Sequence, residues 1–294
     1  MRNPPAARMP ALFVSAGLLG LPFVVASLGG CESGGGRKQI DAGYQSLADR
    51  QYDQAIGQAD GYLQSNPRGR ATAEALYLRG RAYEQRVTDA GTKSTPDDAR
   101  TNLQAARNAY TEALAAEPTP MLDAYIRTSL ANVAYFQDDY QTALEQWTTA
   151  FDRLDNTGDT KAWTLYRIGL CHQRLGRFDQ ADKTFAQVQS DFPQTLPAQR
   201  AKEHQGQSGF YVQLATFSSP AGADRATAAL RREGVLPVRL ADPQGRQLLR
   251  VGPVQTYAQA LQLRSRFTAT YPDALIVPRG CRWSVVSCQL LVVS

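Results

Sequence analysis

Histidine and cysteine are scarce in this 294-residue chain, which holds two and four of them. His172 directly follows Cys171 where both read as packing residues, and His204 falls in a polar connector, Gln194 to Ser208. No paired carboxylates, nucleophile elbow, phosphate-cradling loop or metal-ligand spacing stands out. The expectation is a chain that is not an enzyme, with no cofactor and no metal. A long uncharged apolar run occurs at the N-terminal end, Ala11 to Leu28. Charge of either sign is moderate, with 32 Lys and Arg against 27 Asp and Glu for a net +5.

The apolar run follows a basic segment with Arg2 and Arg8, the order of an export signal. Its length is near the minimum of about 18 residues for a membrane span, so a single transmembrane anchor is the competing reading. Pro22, Gly17 and Gly20 weaken a helix there. Leu28-Gly29-Gly30-Cys31 comes next and resembles a bacterial lipobox. The resemblance implies that residues 1–30 are a cleaved signal peptide and that Cys31 carries the lipid, with a tether over 31–38. Glu32, in place of the Asp that often signals inner-membrane retention, points to the outer membrane, facing the periplasm. Several acyl chains anchor stably, at about 0.8 kcal/mol per buried methylene.

Between residues 39 and 193 a helical spacing recurs. It reads Ala106-Tyr110-Ala113-Pro118, then Ala143-Trp147-Ala150, then Ala181-Phe185-Val188-Pro193, with a weaker copy at Ala55-Ala59-Tyr62-Pro67. Helices preceding each copy carry Gly43, Gly80, Ala131 and Gly169. Small residues let paired helices approach, an aromatic fills the notch between neighbouring hairpins, and proline stops the second helix. A generic helical bundle is the alternative, which four aligned copies disfavour. The pattern, with Ala73-Glu74-Ala75-Leu76-Tyr77 through Ala82-Tyr83, resembles the tetratricopeptide repeat (TPR). The resemblance implies a solenoid of four hairpins with a protein partner on its concave face. The interval from Ala55 to Ala106 is 51 residues, against 37 and 38 for the next two. An insertion is therefore expected as a loop over 87–99. Asp138, Asp139, Asp152 and Asp155 read as a solvated face.

The C-terminal part alternates between patterns of period two and helical period. Tyr211, Gln213, Ala215 and Phe217 alternate with Val212, Leu214 and Thr216, as in a strand with two different faces. Ser218-Ser219-Pro220 opens a helix that Gly234 stops. Strands follow over 235–240 and 246–254, then a helix over 257–270 and a last strand over 274–277. Both helices are expected on one side of an antiparallel sheet, leaving the other face wet. Alternation places Tyr211, Gln213 and Phe217 on that wet face, with Leu248 and Arg250 from the third strand. Phe210-Tyr211-Val212-Gln213-Leu214-Ala215-Thr216-Phe217 and Leu249-Arg250-Val251-Gly252-Pro253 resemble the signature strands of the SPOR (sporulation-related repeat) family.

The SPOR resemblance covers 209–278 and implies a small βαββαβ, ferredoxin-like module. The whole chain is thus multidomain, an α solenoid followed by an α+β domain. It also implies binding to peptidoglycan, especially glycan strands stripped of stem peptides, through Tyr211, Gln213, Phe217, Ser218 and Arg250. Ala215 stands where the family usually has Gly, and Leu248 where a basic residue is common. Residues 210–279 hold nine Arg against four Asp and Glu, so this module is the basic part. A basic sheet with aromatics also suits nucleic acid, but an exported protein does not meet it.

Cys281 and Cys288 lie in the tail 279–294, where an oxidising compartment permits a short-loop disulfide. The apolar run Gln289-Leu290-Leu291-Val292-Val293 has two readings, pairing along a sheet edge or disorder. Two functions remain open. One is an envelope scaffold of cell division or wall remodelling; the other is an outer-membrane assembly factor in which the repeats are the working part.

Overall fold

The computed structural model describes residues 34–90, 95–154 and 159–279. The signal segment, Cys31, Cys281, Cys288 and nearly all of the tail lie outside the described residues. The chain divides into two compact units, Met1–Leu154 and Asp155–Ser294.

The described residues of the first unit form three helical hairpins: α1 (Gly34–Ala48) with α2 (Tyr52–Ser65), α3 (Thr72–Ala90) with α4 (Pro96–Ala115), and α5 (Pro120–Phe136) with α6 (Tyr140–Arg153). Glycine permits the close approach inside the second hairpin. A Cβ added at Gly80 would stand 2.5 Å from the Tyr110 ring, so the aromatic sits in the notch that the glycine leaves. The notch is therefore within a hairpin, and the same ring extends the core to Ile126, Leu130 and Val133 of the next hairpin. In the weaker first copy the aromatic has slipped along its helix. Tyr62 lies on Gly36, while Gly43 receives Leu78 from α3.

Two expectations for this unit need correction. Residues 34–38 are helical rather than a tether, because Arg37 pairs with Asp41 at 2.9 Å and with Glu74 at 2.8 Å. The insertion is mostly helix rather than a loop over 87–99. The third helix runs on to Ala90, and the fourth starts at Pro96 behind Thr95, whose hydroxyl accepts from Asp98 N–H at 3.1 Å. A capping threonine, Pro at the first position and two aspartates in the first turn are strong start signals inside the polar stretch.

The aspartates at 138 and 139 have structural partners. Asp139 caps α6, accepting from Thr142 N–H at 3.2 Å, and pairs with Arg107 at 2.8 Å. Asp138 accepts from the Tyr140 hydroxyl.

The second unit begins with the fourth hairpin, α7 (Asp159–Arg174) and α8 (Phe178–Asp191), in which Phe185 fills the notch over Gly169. The connector, Gln194 to Ser208, is partly helical. It contains α9 (Leu196–His204), which packs on α7 and α8. His204 is buried against the Tyr166 and Phe185 rings, with Nδ1 3.2 Å from Gln173 Oε1. The histidine is a packing residue because α9 closes the exposed side of the last hairpin. Cys171 is fully buried, and burial pushes its thiol far up, so it is inert.

Four strands and two helices follow: β1 (Phe210–Phe217), α10 (Pro220–Arg232), β2 (Val238–Ala241), β3 (Gln247–Val254), α11 (Tyr257–Ser265) and β4 (Leu275–Pro278). The sheet order is β2-β3-β1-β4 with every pair antiparallel. This is the expected βαββαβ module. Ser219 caps α10, and Thr256 with Gln259 forms a capping box on α11. One core joins Val212, Leu214, Leu249, Val251 and Ile276 of the sheet to Leu230 of α10 and Ala260 of α11.

The module also meets the fourth hairpin. The Arg174 guanidinium stacks 3.8 Å from the centre of the Tyr257 ring, and Phe178 lies 6.2 Å from Phe210.

Candidate functional site: the outer face of the sheet

Because α10 and α11 occupy one face, the opposite face is the candidate surface for a ligand. Register identifies what it presents. Gln213 is paired with Arg250 and with Leu275, Tyr211 with Val277, Arg250 with Val238, and Leu248 with Thr216 and Leu240. Directly paired residues share a face, so these residues form one surface. Arg250 Nε donates to Gln213 Oε1 at 3.1 Å, and Gln213 Nε2 lies 3.4 Å from Thr216 Oγ1. The amide thus links a guanidinium on one side to a hydroxyl on the other.

Uninterrupted alternation puts Phe217 on this face, and the structure does not. The register shifts between Gln213 and Ala215, where the extra residue of a β-bulge reverses the parity of the strand. Beyond the bulge Thr216 points outward, and Phe217 packs on the helix-side core near Gly222. Thr216 is the residue that reading by period missed; no local signal in the sequence marks a bulge there. Ser218 is exposed just past the strand, and Tyr211 is half-buried.

A second difference is exposure. A wet face is the expectation, yet Gln213, Leu248 and Arg250 are only 3%, 0% and 2% exposed. Burial lowers the Arg250 pKa, opposed by Tyr211, from a value so high that the group remains a cation at neutral pH. Only Thr216 and Leu240 of this set are well exposed. Beside β1, just before β4 begins, lies a groove of about 400 Å³ lined by Gln213, Thr216, Tyr271 and Asp273 among others. Guanidinium, amide, hydroxyl and phenol groups beside apolar patches can hydrogen-bond sugar hydroxyls and stack on C–H faces.

The first unit holds a largely buried polar network. Glu84 accepts from the Tyr110 hydroxyl at 2.5 Å and from Asn132 Nδ2 at 3.2 Å, tying α3, α4 and α5 together. Burial, reinforced by Glu84, raises the Tyr110 pKa, so the phenol is a permanent donor. Among the described residues no cluster of His, Cys, Asp and Glu is arranged to hold a metal, and no helix is long and apolar enough to cross a membrane.

These features define a helical repeat protein with a small α+β binding module. The family model described as SPOR domain matches residues 206–278, and that described as tetratricopeptide repeat matches 122–190. The chain carries a tetratricopeptide repeat region and a C-terminal SPOR domain. Its helical part is similar to solved repeat proteins. One, a tetratricopeptide repeat protein from Parabacteroides merdae, is 16% identical with TM-score 0.45, over 57% of this chain and 58% of that one. The chain therefore spans little more than half of that protein's length. A MamA protein is 17% identical with TM-score 0.43, over 68% of this chain and 92% of that one. YrrB, described as a TPR protein with an unusual peptide-binding site, is 18% identical with TM-score 0.43, over 57% of this chain and 78% of that one. No curated protein matches. SPOR domains bind peptidoglycan and tetratricopeptide repeats mediate protein contacts, so both recognised parts are binding rather than catalytic domains.

Proposed function

We propose that this chain is a non-enzymatic lipoprotein of the cell envelope. Its SPOR domain holds peptidoglycan glycan strands, and its repeats recruit a protein partner at sites of division or wall remodelling. The observation that carries the reading is the linked set Arg250, Gln213 and Thr216 on the face opposite α10 and α11, in a domain of a peptidoglycan-binding family. Tyr211 flanks the set and offers a ring for stacking on a sugar. Arginine in this module also favours an anionic polymer.

The lipobox Leu28-Gly29-Gly30-Cys31 supports an anchor on the outer membrane facing the periplasm. In this reading Cys31→Ser abolishes labelling by a palmitate analogue, and equal label in the variant refutes the anchor.

The glycan reading is tested by co-sedimentation with purified sacculi, before and after an amidase has stripped the stem peptides. Greater binding to stripped sacculi is expected. A folded protein that ignores both preparations leaves the terminal domain as a protein-contact module.

A further inference from the structure

The groove beside β1 is lined by four consecutive residues, Gln213, Leu214, Ala215 and Thr216. Neighbouring side chains of a strand point to opposite faces, so four in a row line one groove only where it meets the strand edge-on. The pairing supplies the reason. Strand β4 begins at Leu275, opposite Gln213, so its ladder with β1 stops there. Among the described elements, residues 214–217 have a strand on the β3 side alone. A bulge between Gln213 and Ala215 bends the strand at the same place. The other wall is the segment 270–273. It is held by Tyr271 N–H donating to Phe267 O at 2.7 Å and Ala274 N–H to Tyr271 O at 3.0 Å. At about 400 Å³ the groove lies in the usual range of small-ligand sites, about 300–1,000 Å³.

We infer that this groove takes the 2-acetamido group of an N-acetylglucosamine residue in the glycan strand, with Thr216, Tyr271 and Asp273 as its polar side-chain contacts. The inference deepens the glycan reading and rests on it. An open strand edge offers amide N–H and C=O groups side by side, and the natural complement of such an edge is another amide. Thr216 belongs both to the groove and to the outer face, so a sugar on that face has its acetamido group next to the groove. Leu214, Pro272 and Leu275 give the methyl apolar contact. Burial, with Glu233 adding to it, raises the Tyr271 pKa, so the phenol stays a neutral donor for the amide oxygen. Asp273 is exposed and is the one charged group among the lining residues, an acceptor for the amide N–H.

The same carboxylate chooses between the two sugars of the strand. A muramic acid residue freed of its stem peptide carries a carboxylate on the oxygen next to its acetamido group, and Asp273 repels it. The glucosamine residue carries no such charge. The groove therefore sets which ring of the alternating polymer sits beside β1.

Two neutral probes that differ at this group alone provide the test. The full chain is titrated calorimetrically with chitotetraose, whose rings carry 2-acetamido groups, and with cellotetraose, whose rings carry a hydroxyl there. Sedimentation with amidase-treated sacculi runs in parallel. Chitotetraose is expected to bind at least about tenfold more tightly, the effect of buried polar groups left unmatched by the other sugar. Asp273→Ala, a change at an exposed position, is expected to weaken chitotetraose about tenfold and to leave cellotetraose unchanged. A purely structural role for Asp273 would weaken both alike. Sacculus binding with equal affinity for the two probes, or with affinity for neither, overturns the acetamido site and leaves the glycan reading standing. A preference for chitotetraose that survives Asp273→Ala overturns the role of this carboxylate. A folded chain that binds neither sacculi nor either probe refutes the glycan reading, and this inference with it.

Discussion

Gln213 and Arg250 are paired directly across β1 and β3, and the amide oxygen of one accepts from the guanidinium of the other at 3.1 Å in a buried setting. The pair is therefore part of the module's stability as well as of its candidate site. Gln213→Ala deprives a buried cation of an acceptor and is expected to destabilise the second unit by about 1–3 kcal/mol. Gln213→Glu keeps an acceptor and is expected to cost less. Urea denaturation of both variants checks the order, and an Ala variant as stable as the parent overturns it.

Gly80 and Gly57 make a controlled comparison within one unit. A methyl at Gly80 meets the Tyr110 ring at 2.5 Å, whereas a methyl at Gly57 on the exposed side of α2 meets nothing within 4 Å. Gly80→Ala is expected to destabilise by about 1–3 kcal/mol through overpacking. Gly57→Ala is expected to stabilise by up to about 1 kcal/mol through helix propensity. Thermal melting distinguishes them by sign.

Asp139 makes stability depend on pH. Burial pushes its pKa up, but hydrogen bonds from Arg107 and Thr142 outweigh that and hold the carboxyl below its ordinary value. The shift is downward, so the carboxylate stabilises the fold above the unfolded value of about 3.9 and is fully effective at neutral pH. That contribution is lost as pH falls through the lowered folded value. Asp139→Ala is expected to cost about 1 kcal/mol at pH 7, a usual figure for a helix cap, and much less near a pH of about 2. Denaturation at the two pH values checks it; an equal loss at both contradicts the capping role.

Tyr257 joins the SPOR module to the last hairpin through the stacked Arg174 guanidinium at 3.8 Å. Tyr257→Leu removes the aromatic face while keeping apolar bulk. It is expected to destabilise the fragment 155–294 by about 0.5–2 kcal/mol. The same change in a fragment starting at residue 209, which lacks Arg174, is expected to have a smaller effect. Equal effects in both fragments mean that the contact contributes nothing.

Helix pairing was legible because its causes are local. The spacing of Ala106, Tyr110 and Ala113, with Gly80 in the preceding helix, lies within one hairpin, and the structure seats the ring over that glycine. The succession of strands and helices in the terminal module was legible too, since Ser219, Thr256 and the change of period mark where each element begins. The reading of 87–99 as a loop failed because a capping threonine and two aspartates outweighed the polar composition around them.

What only the tertiary structure decided were the relationships that depend on distant partners. A bulge opposite β3 turned Phe217 inward and Thr216 outward, because strand parity is set by the register of the pair and not by one strand alone. His204 became a core residue because α9 folds back on Tyr166 and Phe185, which precede it in the chain. The burial of Leu248 and Arg250 is of the same kind: their types and alternation put them on one face, and only the folded chain set how little of each is exposed.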